Sequence, residues 1–462
     1  MAVLAGCARY APQPVAPAQT VTQLDSRRLD DPGLRAFFTR NAGSAPAVWP
    51  PAAWDLPALT LAAFYFHPDL AVARAQWQVA TAGLKTAGAR PNPSVSVTPS
   101  YDGGIPDNFS PWIVPVTFDI PIETAGKRGK RLAEALKVAE SARWNFVSAA
   151  WQVRSQVRDS LLNRQFADRR AALLEAQFKA ESEMVRRLEQ RLAAGAISRP
   201  ELTTAQMALN RVQQDWADAR SKGAQAQSRL AEALGVGLDA VTNLTLNFSA
   251  RPAVPEALTT PDARRRALGG RADILGALAD YAAAEADLNL QVAKQYPDLH
   301  LGPGYAWNNG NAGDSQWSLG LTLELPILDQ NQGPIAEAAA RRKLAGAKFL
   351  ALQAQVIAQI DRAKAALTAA QQQLATGNSL LRAAERQTAA VNDQVRAGAA
   401  EPLDLLSAEM DLNAVRLAQL DGEAQFQSAL GALEDALQQP AEGDAAAWKN
   451  AFSEIQKESS HE

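Results

Sequence analysis

The sequence predicts a mainly α-helical protein with a small β part, built as an internal duplication. Three observations carry this reading. "LAAGAISRPELTTAQMALNRV" (Leu192 to Val212) and "VRAGAAEPLDLLSAEMDLNAV" (Val395 to Val415) share Gly, Ala, Leu, Met, Leu, Asn and Val in one register, at a constant offset of 203 residues. A fixed offset of that size marks a repeated unit. Two stretches, Lys127 to Ala194 and Ile335 to Ala397, keep a helical pattern; their only breakers are Gly129 in the first and Gly346 and Gly377 in the second. Finally, four short segments leave the helical period and alternate apolar with polar side chains, as strands do.

The 462 residues suffice for two or three ordinary domains. A net charge of −3 provides no basic footprint, so no nucleic-acid partner is expected. Aromatics make up only 6%, while Ala and Gln abound, a balance that suits long helices better than large cores. Three histidines and one cysteine argue against a dedicated metal cage, and no cofactor is expected.

Residues 1–58 read as an N-terminal tether or equatorial segment, irregular from residue 8 apart from one short helix at "DDPGLRAFFTR", with Asp31 as cap and Pro32 at its first position. The single cysteine closes "LAGC", which resembles the lipobox of bacterial lipoproteins, where the cysteine is acylated; only six residues precede Cys7 here. The first repeat spans 59–240, a linker 241–262, the second repeat 263–438, and a tail 439–462. "HPDLAVARA" (His67 to Ala75) answers "RADILGALA" (Arg271 to Ala279). Each repeat reads helix, strand hairpin, very long helix, tight turn, long helix.

At 1.5 Å per residue each very long helix would reach about 95–100 Å, a length typical of coiled coils. In the second repeat Val356, Ala363, Ala370, Gly377, Ala384 and Val391 recur every seven residues, interleaved with Ile360, Leu367, Leu374, Leu381, Thr388 and Val395. That four–three spacing is an apolar seam, with one row small enough for close approach. In the first repeat Val153, Val157, Ala167, Ala171, Leu174, Phe178, Val185, Leu188 and Leu192 fit the seam, and Arg164 and Glu181 interrupt it.

The strand segments pair as hairpins. "WSLGLTLEL" puts Trp317, Leu319, Leu321, Leu323 and Leu325 on one face and Ser318, Gly320, Thr322 and Glu324 on the other; its partner is "LHLGPGYAW". "WIVPVTFDI" and "SVSVTPSY" repeat the scheme in the first copy, with Pro99, Pro115 and Pro303 lying inside strands. Tyr101, Trp112, Trp307 and Trp317 flank polar, Gly-rich loops at one level, like the aromatic girdle of a membrane barrel. No 18-residue apolar window suggests a membrane helix, which leaves a β-barrel open, since barrel strands carry a much weaker signal. Four strands cannot close a cylinder, and an open edge in lipid leaves backbone groups unpaired. Three copies in closed symmetry would supply a trimeric, twelve-strand transmembrane β-barrel. A small soluble sheet packed on helices is the rival reading of the same pattern.

These residues resemble the TolC-like outer membrane efflux channels. The carriers are "RADILGALADYAAAEADLNLQVAKQYPDLHL", "WSLGLTLELPILDQNQG", "ARPNPSVSV", "FDIPIETAGKRGKRLAEA" and the two turns; with "LTLAAFYFHPDL" the wording is closer to the heavy-metal branch than to the drug branch. The resemblance implies a homotrimer in the bacterial outer membrane: a β-barrel in the lipid, continued by an α-barrel of coiled-coil hairpins across the periplasm. It implies a passive export duct, with no catalytic residues, serving an inner-membrane pump of the resistance-nodulation-division type through a periplasmic adaptor. The turns at Gly195, Ala196, Gly398 and Ala399 would form the tip that meets the adaptor. Asp404 matches the first of two acids that ring the family's closed entrance, and the second falls on Ser407. A helix-start Asp favoured by the helix dipole is the competing reading of Asp404. A soluble coiled-coil scaffold, or a type I secretion duct, is the alternative for the whole chain.

Overall fold

The computed structural model describes residues 10–42, 48–104, 111–247, 254–308 and 315–440. Cys7 lies outside the described residues. The elements run α1 (Pro17–Asp25), α2 (Pro32–Ala42), α3 (Leu56–Phe66), α4 (Pro68–Gly88), β1 (Ser94–Val97), β2 (Ser100–Tyr101), β3 (Trp112–Ile122), α5 (Lys127–Ala193) and α6 (Arg199–Leu234). After a 3-10 turn come α7 (Glu256–Thr259), α8 (Pro261–Gly270), α9 (Ala272–Ala293), β4 (Leu299–Asn308), β5 (Gln316–Leu323), α10 (Gln332–Arg396) and α11 (Pro402–Leu437). The chain is thus mainly helical with one small antiparallel sheet, as the period change predicts. Beyond the expected elements, the N-terminal segment also contains α1, none of whose residues is buried, and the linker contains α7.

Two compact units emerge, and each draws on both repeats: residues 1–70, 149–267 and 359–462 form one, residues 71–148 and 268–358 the other.

In the first unit α2 starts as read from the sequence. The Asp31 carboxylate accepts from the backbone N–H of Gly33 at 2.6 Å and of Leu34 at 3.0 Å. Asp55 caps α3 by accepting from the Ala58 N–H at 2.9 Å. The core gathers Leu34, Phe38, Trp54, Leu59, Phe64, Leu230 and Leu234, all buried, with Phe38 and Trp54 edge to face. Arg27 Nη1 donates to two carbonyls at helix ends, Phe66 at 2.7 Å and Gly235 at 2.8 Å. Gly235 is left-handed (φ 70°), and a Cβ there would stand 2.9 Å from His67 Cα, so no other residue lets these backbones meet.

The apolar seam of the long helices packs as its heptads predict. Along α10, Ile360, Ala363, Leu367 and Ala370 are buried; Leu374, Gly377, Leu381 and Ala384 are half-buried. Two glycines face the neighbouring helix backbone: a Cβ on Gly377 would lie 3.9 Å from Gln419 Cα, and one on Gly422 4.0 Å from Leu374 Cα. In α5 the interruption at Arg164 is absorbed by α6. Arg164 Nη1 donates to the Gly223 carbonyl at 2.8 Å and Nε pairs with Asp168 at 3.0 Å.

In the second unit the strands order β1-β3-β4-β5, with β2 continuing β1 along β3 after a break at Thr98 and Pro99. The sheet is therefore four strands wide. Proline costs ladder bonds locally rather than abolishing the strands: β3 and β4 pair on both sides of Phe118 and Asp119, and the gap falls opposite Gly302 and Pro303. Below the sheet, Thr124 donates its N–H to Asp298 at 2.8 Å and its hydroxyl to the Pro297 carbonyl at 2.6 Å. Lys127, almost fully buried, reaches the same Asp298 at 2.8 Å. These bonds tie the end of β3 to the start of β4 and so join one repeat to the other.

Candidate functional site

Antiparallel register decides which side chains share a face, since directly paired residues point the same way. Val95 faces Phe118, Val97 faces Val116 and Tyr101 faces Trp112. Val114 faces Trp307, Val116 faces Tyr305 and Ile120 faces Leu301; next, Tyr305 faces Trp317, Pro303 Leu319, Leu301 Leu321 and Leu299 Leu323. One continuous apolar face thus runs across all four strands. Among the described residues nothing covers it. Leu319 is 75% exposed, Leu321 66% and Val95 59%. An exposed apolar patch this extensive marks an interaction surface or a membrane surface. Both sheet edges, β1/β2 and β5, pair on one side only.

Tyr101, Trp112, Trp307 and Trp317 all lie on that face toward the same end of the sheet and are largely exposed. Tyr101 meets Trp112 edge to face at 5.4 Å, and Tyr305 tilts onto Trp317 at 4.8 Å. They form a diagonal: Trp307 pairs two residues inward of Trp112, and Trp317 two further inward still. A level line crosses tilted barrel strands diagonally in this way.

The opposite face is mostly small or polar, with Ile113 and Pro115 toward one end. Gly302 pairs with Gly320 and Gly304 with Ser318. His300, opposite Thr322 on β5, turns Nδ1 to the Asp119 carboxylate, 2.9 Å from one oxygen and 3.1 Å from the other. Sequence reading missed this pair, because the residues are 181 positions apart.

At the tips of the first unit, both turns close identically. Gly195 (φ 75°) donates to Leu192 O at 2.9 Å and Ala196 to Arg191 O at 2.9 Å; Gly398 (φ 74°) donates to Val395 O at 3.0 Å and Ala399 to Gln394 O at 2.8 Å. This double bond about a left-handed residue is the Schellman motif, which explains the glycine in both repeats. Pro200 and Pro402 stand at the start of the returning helices. Asp404 is exposed and enters a capping box: its Oδ2 accepts from the Glu401 N–H at 2.8 Å, and the Glu401 side chain accepts from the backbone N–H of Asp404. Ser407 is exposed one turn on.

Charged stations join α5 to α11 along their length. Near the tip Arg191 pairs with Glu401. Midway Arg169 holds Glu423 with two bonds of 3.0 and 3.1 Å, and Arg170 meets Asp421 at 2.5 Å. Farther along, Arg154 and Arg158, both buried, reach Glu434 Oε2 at 3.2 and 3.3 Å, and Arg158 Nη2 reaches Asp435 at 2.7 Å. Trp151 Nε1 and Ser155 Oγ also donate to Asp435. Among the described residues no group of three or more His, Cys, Asp or Glu converges on a metal position, and no single helix is long and apolar enough to cross a membrane.

The family model described as outer membrane efflux protein matches residues 58–236 and 263–438. The cobalt-zinc-cadmium resistance protein CzcC of Cupriavidus metallidurans is 25% identical over 233 residues, 50% of this chain and 54% of that protein. Nodulation protein T of Rhizobium leguminosarum bv. trifolii is 26% identical over 299 residues, 62% of each chain. The chain therefore spans about half to three-fifths of the curated relatives it matches. The outer membrane protein VceC of Vibrio cholerae shares the fold, with 20% identity and a TM-score of 0.67 over 84% of this chain and 97% of that one. On a family match across well over half of its residues, the chain belongs to the outer membrane efflux protein family.

Proposed function

We propose that the chain is the outer membrane component of a tripartite efflux system, a passive duct through the outer membrane and the periplasm. The observation that carries this is the sheet: among the described residues its continuous apolar face has no cover and its two edges pair on one side only. In lipid every backbone polar group needs a partner, and a closed cylinder is the only sheet that supplies them. Three chains contribute twelve strands, each β5 closing on the next copy's β1/β2. The apolar face meets lipid, the aromatics hold the interface, and the polar face lines water. The duct performs no chemistry; transport energy comes from an inner-membrane pump, coupled through a periplasmic adaptor.

The tip residues Gly195, Ala196, Gly398 and Ala399 are the proposed adaptor contact. Asp404, with Ser407 beside it, is the proposed gate. Its capping bond uses one carboxylate oxygen, and three such carboxylates around a threefold axis would repel one another and attract cations. Cys7 is the proposed site of acylation. The proposed division places two repeats at 59–240 and 263–438, between a tether, a linker and a tail. The similarity to the cobalt-zinc-cadmium resistance protein makes divalent transition-metal cations the first cargo to test.

Fractionation tests the reading. A heat-modifiable trimer extracted from the outer membrane by detergent is expected, together with loss of export when the chain is deleted. A soluble monomer that needs no detergent refutes it and favours the scaffold alternative.

A further inference from the structure

We infer that the Asp119–His300 pair is a proton-tunable charge on the inner wall of the barrel, setting how strongly that wall attracts cations. The inference rests on the reading that the polar sheet face lines the lumen.

The imidazole nitrogen lies within hydrogen-bond distance of both carboxylate oxygens of Asp119, and both side chains remain partly exposed. The pair sits where the β3–β4 ladder is interrupted, beside the Gly302–Gly320 step. Those glycines present no side chain to cover it. Histidine is the side chain whose charge changes between about pH 5 and 8. With a neutral ring the pair carries one negative charge; with an imidazolium it carries none. A trimer would therefore swing by three charges at one level of the lumen.

Other charges on this face are few and mostly engaged. On the β3 side, Glu123 is ion-paired with Arg131 beyond the strand end. On the β4 side, Asp298 is held by Lys127. Glu324 follows β5 and is exposed. Asp102 follows β2 at the far end of the sheet and accepts from the Gly104 N–H. Among the described residues of these four strands, Asp119 and His300 are the only charged or titratable side chains on the polar face. The pair is therefore the charge that the strands themselves place beside Thr322, and Glu324 follows β5.

Thr322, paired directly with His300, is the place to read that potential. In trimers carrying Thr322→Cys, thiol modification is timed with a cationic and an anionic methanethiosulfonate at pH 7.5 and 5.5. The ratio of the two rates cancels the thiol's own ionisation, and the parent chain gives the background. The cation-to-anion ratio is expected to fall about three- to tenfold on acidification, the scale of one unit charge several ångströms away in partly screened water. Adding His300→Gln should hold the ratio within about twofold across that range, and adding Asp119→Asn should lower it already at pH 7.5. If Thr322→Cys and Thr322→Cys/His300→Gln follow the same pH course in an outer-membrane trimer, the inference alone is overturned. If the chain purifies as a soluble monomer, the lumen reading itself fails and the inference with it.

Discussion

Arg191, in the last turn of α5, is ion-paired with Glu401, the residue that caps α11. The pair ties the tip of one helical hairpin to the tip of the other. It also loads two jobs on one carboxylate, since Glu401 accepts from the first turn of α11 as well. Because the pair is exposed, its strength should fall with salt, and little global stability should depend on it. Arg191→Ala is expected to raise hydrogen exchange severalfold at the Gly195 and Gly398 turns at low salt. High salt should do the same to the wild type. Glu401→Gln should mimic Arg191→Ala, while Glu401→Ala should also fray the first turn of α11, a capping loss of about 1 kcal/mol. Exchange at both turns that ignores salt and both substitutions would refute the tie.

The buried end of the same helix pair behaves oppositely. Arg158 lies against Gly431, where a Cβ would stand 2.7 Å from its Nε. Gly431→Ala must therefore displace a guanidinium that serves Asp159, Glu434 and Asp435. Overpacking of this kind costs about 1–3 kcal/mol. Arg158→Ala should cost more, about 3–5 kcal/mol, because it strands buried carboxylates. Denaturant or detergent-denaturation midpoints measure both, and the order of the two losses is the check. A Gly431→Ala midpoint equal to wild type would show that Arg158 has room to move.

These two ends of α11 show what the sequence could reveal. Strand alternation, the heptad seam and the Gly-then-Pro turns are local patterns, and the structure realises each: Leu319 and Leu321 share a face, Ile360 and Leu367 are buried, and Gly195 and Gly398 are left-handed. The α5–α11 stations were not legible, since Arg158 and Asp435 are 277 residues apart and nothing local pairs them. The role of Gly431 is equally invisible, because a glycine that makes room for a side chain looks like any helix-breaking glycine. The capping box did leave a trace, Glu401 three residues before Asp404, but glutamate is an unusual cap. The Asp404 gate remains a proposal, and its test separates charge from capping. Asp404→Asn keeps an oxygen for the Glu401 N–H and removes the charge, so closed-state cation selectivity should fall without loss of α11's first turn.

The sheet faces predict opposite tolerance. On the apolar face, Leu321→Arg places a charge toward the middle of the lipid-facing band and should cost assembly about 2–4 kcal/mol. On the polar face, Ser318→Arg should leave assembly intact and change conductance instead. The yield of heat-modifiable trimer in the outer membrane reads the first effect. Equal yields from the two variants would mean that the apolar face does not meet lipid.

Acid should weaken the first unit through His67. Burial holds its imidazole below the ordinary value, and Nδ1 accepts from the Asp69 N–H at 3.2 Å, which only the neutral ring can do. The unfolded chain then binds the proton more readily. The stabilisation is full above about pH 6.5 and is lost as pH falls from there through the lower folded value. His67→Gln should flatten the stability profile of that window while lowering stability at neutral pH. A profile unchanged by the substitution would assign the acid limb to other groups.

Glu181 gives the contrary sign and a way to improve the protein. It occupies the α5 seam, is 9% exposed, and makes no hydrogen bond or ion pair among the described residues. Burial alone raises its carboxyl above the ordinary value. The folded state therefore holds the proton more tightly than the unfolded one. The ionised form costs stability above the folded value, and that cost is relieved as pH falls toward the unfolded value near 4.5. Since Leu174, Phe178, Val185 and Leu188 flank it at seam spacing, an apolar residue of similar length completes the stripe. Glu181→Met should stabilise the neutral-pH protein by about 1–2 kcal/mol and remove this part of the pH profile. Glu181→Gln, which keeps the shape and loses only the charge, should recover part of that gain. If both variants are less stable than wild type at neutral pH, the carboxylate has a partner in the assembled trimer, and its place in the seam serves assembly rather than interrupting it.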